Sequence, residues 1–576
     1  MIPEAESEPM LDSAQPLDQS AQVASAQTRD QKSFVSHAKL IGFLTLISRI
    51  LGMAREVVAA SFFGAGVVWS AFQYAFTIPN LFRKLLGEGA LSAAFIPLYT
   101  RALKEEERPG AADEFASASI SLLIAILLGI TAVGEVILAL ILWLGDLREG
   151  TQLAVKLTIV MLPYVVFVCA AAFIGGILQV HRRFAGPAIV PIVSNLLMVA
   201  TLAAVALTHD LRSEAGQRAA VWWVAGSVLL SGAVQIFVLW PPLKRAGFRF
   251  HFVGHFWTAA VRRMLLMSIP VALGAGVLQL GVVLDKQIAL MMATGDGKTH
   301  LHLFGLAIRL PMEQGALARL NWAQFLYQFP LGVFAISLAT AIFPQLSGDA
   351  ADANLTVFKK VFRRGLEAAL FIGLPASAGM IVVADPAVRL LFQGGRFTAH
   401  DSNLTALSTA IYASAIWAFS IQQVLNRAFY ALHDMHTPLI TTAINLAINL
   451  AVEIPLLWTP MGETAMAAGT AVSFAVQSVI MVEMLRRRVG LLGLTQSVKP
   501  VGKMLIATAL MWLVCAAVKL TPIYPKEGPS HHKLTWAIQL AILMTIGGSV
   551  YVGACLSMGI KAIEHVRRKK GKPQPV

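Results

Sequence analysis

Long apolar runs recur along the whole chain and constrain its fold more than any other feature. Each run has about 20 residues, the length that an α-helix needs to cross the roughly 30 Å hydrocarbon core of a bilayer. We count about fourteen such spans. Their starts lie near residues 37, 68, 115, 152, 185, 217, 264, 320, 355, 403, 437, 462, 500 and 534. The pattern predicts an all-α polytopic membrane protein.

The composition agrees with a membrane protein and excludes an ordinary soluble one. Only 14% of the residues are charged, whereas soluble domains carry about 25%. The three cysteines, Cys169, Cys515 and Cys555, fall inside apolar runs and have no metal-binding or disulfide spacing. The net charge of +14 does not indicate a nucleic-acid partner, because the basic residues cluster at the ends of the apolar runs.

Lysine and arginine separate the connections between spans into two alternating groups. The rich group contains Arg101, Lys104, Arg108, Arg182, Arg183, Lys244, Arg245, Arg249, Arg262, Arg263, Lys359, Lys360, Arg363, Arg364, Arg486, Arg487, Arg488, Lys499, Lys503, Arg567, Arg568, Lys569, Lys570 and Lys572. The sparse group contains Arg148, Arg212, Arg218, Lys298, Arg309, Arg319, Arg389, Arg396, Lys519, Lys526 and Lys533. Cytoplasmic loops are the basic ones. Both termini are therefore expected in the cytoplasm, which requires an even number of spans.

The chain divides near its middle, where residues 248–263 mix aromatic and basic side chains as an interfacial helix does. The expected units are a disordered cytoplasmic tail (1–34), an N-terminal lobe of helices 1–6 (35–247), the interfacial linker helix (248–263), a C-terminal lobe of helices 7–12 (264–490), helices 13 and 14 (491–563), and a basic cytoplasmic tail (564–576). The connection 294–319 contains an apolar stretch too short to span, and we expect a re-entrant or surface helix there.

Ionisable residues inside the first two spans carry the functional signal. They are Arg49, Arg55, Glu56, Arg83, Lys84 and Glu88. A charge in hydrocarbon costs several kcal/mol unless it faces a partner or a water-filled cavity. The four cations exceed the two acids, which favours a polyanionic ligand, and arginine makes paired hydrogen bonds to phosphate oxygens. Gly52 and Pro79 are expected to bend the two helices near these charges.

A purely structural role is the alternative for each of these cations. Arg55 can pair with Glu56 or Glu88, while Arg83 and Lys84 can mark a cytoplasmic helix end by extending to the interface. We favour that alternative for Lys84. Arg49 and Arg55 lie too deep in the span, and we expect them to face the substrate.

Several motifs give the chain a family resemblance. SRILGMARE, FGAG and AFQYAFTIPNLFRKLLGEGALSAAFIPLY are followed in order by FLYQFPLGVFAISLATAIFPQLS, LLFQGGRFTAHD and LNRAFYALHDMHTP. Together they resemble the MurJ (MviN) family of lipid II flippases. The resemblance implies the fold of the multidrug/oligosaccharidyl-lipid/polysaccharide exporter superfamily, with fourteen helices in two lobes around a central cationic cavity. It also implies that Arg49, Arg55 and Arg83 engage the diphosphate and sugar of the substrate.

The chain departs from the family pattern at two positions. Ser70 stands where many relatives carry an acid, and Phe325 stands where relatives carry an arginine five residues before the proline of the eighth span, here Pro330. The cavity is therefore expected to lack one arginine, or to recruit Arg319 in its place.

A second intramembrane charge pair, Asp285 and Lys286, lies in the seventh span, and Asp285 matches a family acid linked in some members to sodium. A local pair between the two explains them equally well. The eleventh span offers Thr441, Asn445 and Asn449, although sodium prefers a carboxylate. The resulting expectation is no cofactor except a coupling sodium ion. Glu135, Glu367 and Glu453 lie in spans without an obvious partner, and Arg427 with Asp434 is a candidate latch between the lobes.

The predicted function is a flippase of the bacterial inner membrane that moves lipid II to the periplasmic leaflet by alternating access, driven by the membrane potential. The predicted partners are lipid II, membrane lipids and cell-wall synthesis proteins, with no nucleic acid. Three alternatives stay open. They are an exporter of another polyprenyl-linked saccharide or a drug/ion antiporter of the same fold, a membrane-embedded enzyme acting on polyprenyl phosphates, and a scaffold for cell-wall synthesis.

Overall fold

The computed structural model describes residues 17–87, 90–105, 110–251, 256–295, 299–303, 306–332, 336–351, 354–526 and 532–560. The helices are α1 (Leu17–Phe63), α2 (Val67–Phe82), α3 (Ala90–Lys104), α4 (Ala111–Leu144), α5 (Glu149–Met161), α6 (Tyr164–Val180), α7 (Ala185–Thr208), α8 (Glu214–Arg245), α9 (Ala259–Met292), α10 (Ala316–Pro330), α11 (Ile336–Ala351), α12 (Leu355–Phe392), α13 (Ala399–Ala413), α14 (Ile416–Ala431), α15 (His436–Leu457), α16 (Thr464–Val489), α17 (Thr495–Lys519) and α18 (His532–Ser557). Strands β1 (His300–Leu303) and β2 (Leu306–Arg309) precede α10.

The helices confirm an all-α membrane fold. Within the described ranges, nine helices are long and apolar enough to cross a bilayer. Two bent pairs, α5–α6 with an angle of 44° and α13–α14 with an angle of 42°, are long and apolar enough to cross if each pair is one span. The remaining predicted spans coincide with α1, with α2 and α3, and with α10 and α11. The total of fourteen stays a prediction.

Two lobes meet around the centre of the molecule. One apolar core joins α1–α8 and the start of α9 and extends to α10, α12 and α13, and a second core joins α11, α12, α14 and α16–α18. Helix α9 packs on α2 and α3 of the first lobe and on α10 and α15 of the second. Fourteen crossings of alternating direction, as predicted from the sequence, would gather the lysine- and arginine-rich connections at one end of the bundle. We call this the basic end.

The structure changes two of the expected unit boundaries. Helix α1 already begins at Leu17, inside the segment expected to be disordered, because residues 17–41 contain neither glycine nor proline to stop it. Of the expected interfacial linker helix 248–263, residues 259–263 form the start of α9, residues 248–251 and 256–258 are not helical, and residues 252–255 lie outside the described residues. Helix α9 begins at Ala259 because the Thr258 side chain caps it, accepting from the Val261 N–H at 3.3 Å. The tail 564–576 lies outside the described residues.

The connection 294–319 contains a β-hairpin instead of the expected re-entrant or surface helix. Strands β1 and β2 pair antiparallel, with Leu301 opposite Ile308 and His302 opposite Ala307. In His300–Leu303, polar and apolar residues alternate with a period of two, which favours a β-strand over a helix.

Only one of the two expected helix bends is observed. Helix α1 runs uninterrupted through Gly52, which packs against Asn195 of α7. Helix α2, in contrast, contains Pro79 and passes into a π-helical turn over Arg83–Gly87. Such turns accompany a break in the regular backbone ladder and often mark functional sites.

Candidate functional site

A cavity of about 1570 Å³ lies between the two lobes. Its lining includes four cationic side chains of the first lobe, Arg49, Arg55, Arg83 and Lys84. Asp285 is the acidic residue among the described lining residues. The structure therefore brings the predicted cationic residues of the first two spans together, and it gives them a chamber large enough for a polar ligand. Lys84, for which a topological role was favoured, also lines this chamber and is exposed.

Arg55 combines the two roles considered from the sequence. Its guanidinium pairs with Glu56, with Nη2 at 2.6 Å and Nε at 3.2 Å from Oε1. Nη1 donates to Asn195 Oδ1 at 3.1 Å. The pairing with Glu56 is thus observed, yet the side chain is 20% exposed and lines the cavity. Asn195 also donates to the Ser48 carbonyl at 3.2 Å, which fixes α7 against the cavity face of α1.

Arg49 is exposed to the cavity, and no carboxylate of the described residues lies within ion-pair distance of it. Its Nη2 would lie 2.8 Å from an ideal Cβ placed on Gly332, which follows α10 in the second lobe. A glycine at this position therefore lets the guanidinium cross the cavity to the opposite lobe. A charge without a carboxylate partner here requires water or an anionic ligand.

Arg83 lies where α2 becomes the π-helical turn. Its Nε donates to Asn80 Oδ1 at 2.9 Å, and both residues line the cavity. The π-helical turn changes the backbone direction at Arg83, the residue whose side chain lines the cavity. Glu88, the sixth residue of the predicted site, lies outside the described residues.

The wall formed by the second lobe carries the acid Asp285 but, among the described lining residues, no lysine or arginine, and it is rich in amides. It includes Gln324, Gln328, Asn445, Thr470 and Ser473. Phe325 also lines the chamber, so the departure from the family pattern places an aromatic ring where relatives are expected to have a cation. The positive charge of the cavity is consequently confined to one lobe.

Arg319 does not replace the missing cavity arginine. It is only 2% exposed and is held by two carboxylates, Asp401 at 3.0 Å and Glu463 at 2.5 Å. Its Nη1 also donates to the Gln314 carbonyl at 3.0 Å. Because all sides of the guanidinium are bonded, it cannot face the chamber. The sequence analysis missed both acids, although the Thr398-to-Asp401 spacing of a capping box was visible.

The proposed ion-coupling residues are brought together only in part. Asn449 donates through Nδ2 to Asp285 Oδ1 at 3.1 Å and to Glu453 Oε2 at 3.2 Å. Asn445 lines the cavity beside them, whereas Thr441 is fully buried and donates to the carbonyls of its own helix. Glu453 was not assigned to this group from the sequence, although its spacing of four residues from Asn449 puts both on one helix face.

Lys286 does not form an ion pair with Asp285, so the explanation of these two charges as a local pair was wrong. The Lys286 ammonium donates instead to Asn321 Oδ1 on α10 at 3.1 Å. The acid–amide group of Asp285, Asn449 and Glu453 fits a small cation. Asn449 Oδ1 and Glu453 Oε1 are buried without a hydrogen-bond partner in the described structure, and carboxylate and amide oxygens are the ligands that hard cations prefer.

The lobes are in contact through connections of the group that is poor in lysine and arginine. The Arg396 N–H donates to the Ser61 carbonyl at 2.9 Å, and the Arg396 side chain donates to the Arg212 carbonyl. Gly395 has a φ of +58°, and an ideal Cβ there would lie 2.1 Å from Ser61 O. Gly315, with a φ of +84°, would place a Cβ 2.0 Å from Ala65 O. We call this contact, formed by residues 61–65, 315 and 394–397, the closed end.

The expected pairing of Arg427 with Asp434 is not the one formed. Asp434 accepts from Arg488 and from the Thr437 N–H at 2.9 Å, while Arg427 lies over the Phe343 ring at 5.4 Å. Arg488 belongs to α16 and Asp434 to the connection before α15. The ion pair therefore ties helices within the second lobe, not one lobe to the other.

Comparison with known proteins decides the family. A family model described as lipid II flippase MurJ matches residues 59–523. The chain belongs to this family. A probable lipid II flippase MurJ of Rhizobium tropici is 30% identical over 553 residues, covering 94% of this chain and 98% of the relative. A lipid II flippase MurJ of Burkholderia cenocepacia is 27% identical over 550 residues, covering 91% and 98%.

Solved structures have the same fold. A lipid II flippase MurJ in an inward closed conformation matches with a TM-score of 0.70 at 22% identity, covering 91% of this chain and 99% of that one. An inward-facing multidrug resistance transporter of the MATE family matches with a TM-score of 0.62 at 13% identity, covering 79% and 98%. Membership of the MurJ family confirms the predicted lipid II flippase, a transporter and not an enzyme, in a multi-pass inner-membrane protein.

Proposed function

We propose that the cavity holds the headgroup of lipid II while the two lobes move it from the cytoplasmic to the periplasmic leaflet. The observation that carries this proposal is the placement of Arg49, Arg55, Arg83 and Lys84 on one wall of a 1570 Å³ chamber. Such a wall offers charge-assisted hydrogen bonds to a diphosphate. The amides of the opposite wall suit the hydroxyl and amide groups of a sugar and a peptide.

The polyprenyl tail stays in the bilayer in this mechanism. Transfer of the tail costs nothing, since it exchanges lipid for lipid, whereas the polar headgroup would lose its hydration in hydrocarbon. The protein therefore needs to shelter only the headgroup. The large exposed apolar side chains on α4 and α17, such as Leu144 and Leu513, suit a lipid-facing outer surface.

The orientation follows from the basic end. Connections rich in lysine and arginine stay in the cytoplasm, so the basic end is the cytoplasmic one and both termini lie there. The closed end then faces the periplasm. In this state the cavity receives lipid II from the cytoplasmic leaflet, and separation of the lobes at the closed end releases it on the other side.

The membrane potential favours the return of the empty protein. A charge that moves through the field gains about 2.3 kcal/mol per 100 mV. The cationic wall carries a net positive charge without substrate, so a cell-negative potential draws the empty cavity toward the cytoplasmic state. Indifference of lipid II translocation to an imposed potential in proteoliposomes would contradict this step.

A sodium ion is the proposed coupling cation, held by Asp285, Asn449 and Glu453. When bound, it would supply the positive charge that two neighbouring buried carboxylates require. Asn449 orients both carboxylates through one amide nitrogen. Because α9 and α15 each contribute an acid, neutralisation of the group holds these two helices together.

The decisive experiment measures binding of the purified protein to lipid II, to undecaprenyl phosphate and to an uncharged polyprenol. We expect binding to fall in that order. Arg49→Gln should weaken lipid II binding at least tenfold, as expected for one lost charge-assisted interaction of about 1.5–3 kcal/mol. Arg101→Gln is the matched control, because Arg101 pairs with Glu105 on the surface at 2.7 Å. Equal binding of all three lipids would refute the proposal.

An exporter of drugs is less compatible with this cavity, because organic cations require acids where this wall presents arginines and a lysine. Transfer of another polyprenyl diphosphate saccharide would use the same wall and is tested by the same binding series. Contacts with cell-wall synthesis proteins stay a prediction that affinity capture with the full chain can test.

A further inference from the structure

A buried hydrogen bond joins the two lobes directly behind the cationic wall. The indole Nε1 of Trp322, on α10, donates to Oε2 of Glu56, on α1, at 2.9 Å. Glu56 is 4% exposed and Trp322 is 0% exposed. The other oxygen of the same carboxylate accepts from Arg55 at 2.6 Å. One carboxylate thus connects a cavity-lining guanidinium with a side chain of the opposite lobe.

Trp322 continues this connection to the closed end. Its ring centroid lies 5.8 Å from that of Phe392 and 5.1 Å from that of Phe397. Phe397 directly follows Arg396, whose N–H donates to Ser61 O at 2.9 Å. Separation of the lobes at the closed end must therefore either break the bond between Trp322 and Glu56 or distort the packing of Trp322.

The bonding of Arg55 makes Glu56 sensitive to an anion in the cavity. Glu56 occupies Nε and Nη2 of the guanidinium. A guanidinium makes paired hydrogen bonds through either of two edges, and Nη2 belongs to both. The second Nη2 hydrogen faces the other edge, so a diphosphate that pairs with that edge does not displace Glu56 but shares the single positive charge of Arg55 with it.

We propose that Glu56 is a positioning residue that couples headgroup binding at Arg55 to opening of the closed end. The inference rests on the proposed function. With the diphosphate bound, the ion pair between Glu56 and Arg55 is weaker, and the Glu56 carboxylate stays buried. An incompletely compensated buried charge raises the free energy of the state in which the lobes are together. Opening admits water to the carboxylate and removes that cost. The substrate then interacts more favourably with the open state, which is the condition for a ligand to shift a conformational equilibrium.

The Trp322 bond sets the resting state in this mechanism. Before binding, it satisfies the second oxygen of Glu56 and holds α10 against α1. Without the indole N–H, Glu56 Oε2 lacks a hydrogen bond only while the closed end is shut. The equilibrium between closed and open states therefore shifts toward the open state even without substrate. Loss of the carboxylate charge has a different consequence. The Glu56→Gln side chain can still accept a hydrogen bond from Trp322. It has no negative charge, so binding of the diphosphate to Arg55 creates no poorly compensated buried charge that would favour opening.

Two variants with opposite expected behaviour test the coupling. Spin labels on Ala215, in α8, and Ala399, in α13, report the separation of the lobes near the closed end, since both residues are exposed. The three native cysteines are replaced in this background. Lipid II should lengthen the label distance in the parent protein. Trp322→Phe should show the longer distance without lipid II, and Glu56→Gln should keep the shorter distance with lipid II bound.

The matched control is Trp458→Phe. It removes an indole hydrogen bond of 3.1 Å to the Arg309 carbonyl within the second lobe and should leave the lipid-dependent shift unchanged. A general loss of structure would move both test variants in the same direction. The coupling is overturned if Trp322→Phe rests at the parent distance, or if Glu56→Gln retains the full shift. Lipid II binding is measured on the same samples. Its absence in the parent would refute the proposed function and the coupling together.

Discussion

Arg319 and Glu463 form two parallel hydrogen bonds, Nε to Oε1 at 2.8 Å and Nη2 to Oε2 at 2.5 Å. Glu463 is the N-cap residue of α16, and Asp401, the second partner of Arg319, lies in the first turn of α13. One buried guanidinium therefore joins the beginnings of two helices to α10. The arrangement stabilises the second lobe near the closed end.

Removal of this guanidinium should destabilise the protein strongly. Arg319→Met leaves two buried carboxylates without their cation, and breaking such a pair costs about 3–5 kcal/mol. Thermal unfolding in detergent measures the effect. Arg101→Met, which breaks an exposed pair with Glu105, should leave the unfolding temperature nearly unchanged. Equal unfolding temperatures for the two variants would contradict a structural role of Arg319.

Gly395→Ala should prevent the closed end from forming. The new Cβ would lie 2.1 Å from the Ser61 carbonyl oxygen, so the lobes must separate there. Gly559→Ala is the control, because Gly559 has a similar φ of +63° but no heavy atom within 4 Å of the new Cβ. Both variants carry the backbone strain, and only Gly395→Ala should lengthen the distance between labels on Ala215 and Ala399. A parent-like distance would show that the contact tolerates a side chain.

Gly469→Ala should impair the acid–amide group without touching the cationic wall. An alanine Cβ on α16 would lie 2.8 Å from Glu453 Cβ and 3.0 Å from Asn449 Oδ1. We expect loss of the sodium-dependent rise in unfolding temperature, with lipid II binding retained. Gly548→Ala, on α18, meets no atom within 4 Å and should keep the sodium response. A variant that still responds to sodium would argue against a cation at Asn449 and Glu453.

Asp434 should make stability depend on pH. Burial raises the pKa of this carboxyl, but hydrogen bonds from Thr437 and the charge of Arg488 outweigh burial and hold the pKa below its usual value. A carboxyl with a lowered folded pKa stabilises the protein above its unfolded pKa of about 3.9, and the contribution disappears as the pH falls through the folded pKa. Asp434→Asn should therefore lower the unfolding temperature at pH 7. The difference from the parent should shrink below about pH 4, and an undiminished difference at pH 3 would contradict the assignment.

The sequence predicted the elements that depend on local patterns. Apolar runs gave the spans, and charges inside them identified Arg49, Arg55 and Arg83, because hydrocarbon penalises a charge wherever the chain folds. The hairpin at His300–Leu303 was missed because a short apolar segment fits either a strand or a helix, and its alternation received too little weight.

The hydrogen-bond and ion-pair partners of the charged side chains were harder to predict, because they depend on which helices pack against each other. Arg319 was one of two possibilities considered for the cavity because of its position along the chain, but its partners Asp401 and Glu463 lie 82 and 144 residues away from it. Lys286 follows Asp285 in sequence, yet a helix turns adjacent residues to different faces. The Trp322 bond to Glu56 spans 266 residues, and no local pattern marks it.

The cavity cations lie on α1 and in the turn after α2, which would separate the two proposed ligands of the transporter. A diphosphate bound to these cations travels with the first lobe, whereas a cation bound to Asn449 and Glu453 travels with α15 of the second. Each lobe then moves relative to the ligand of the other during a transport cycle. Helix α9, bearing Asp285, packs on both lobes and would therefore connect the proposed lipid and ion sites.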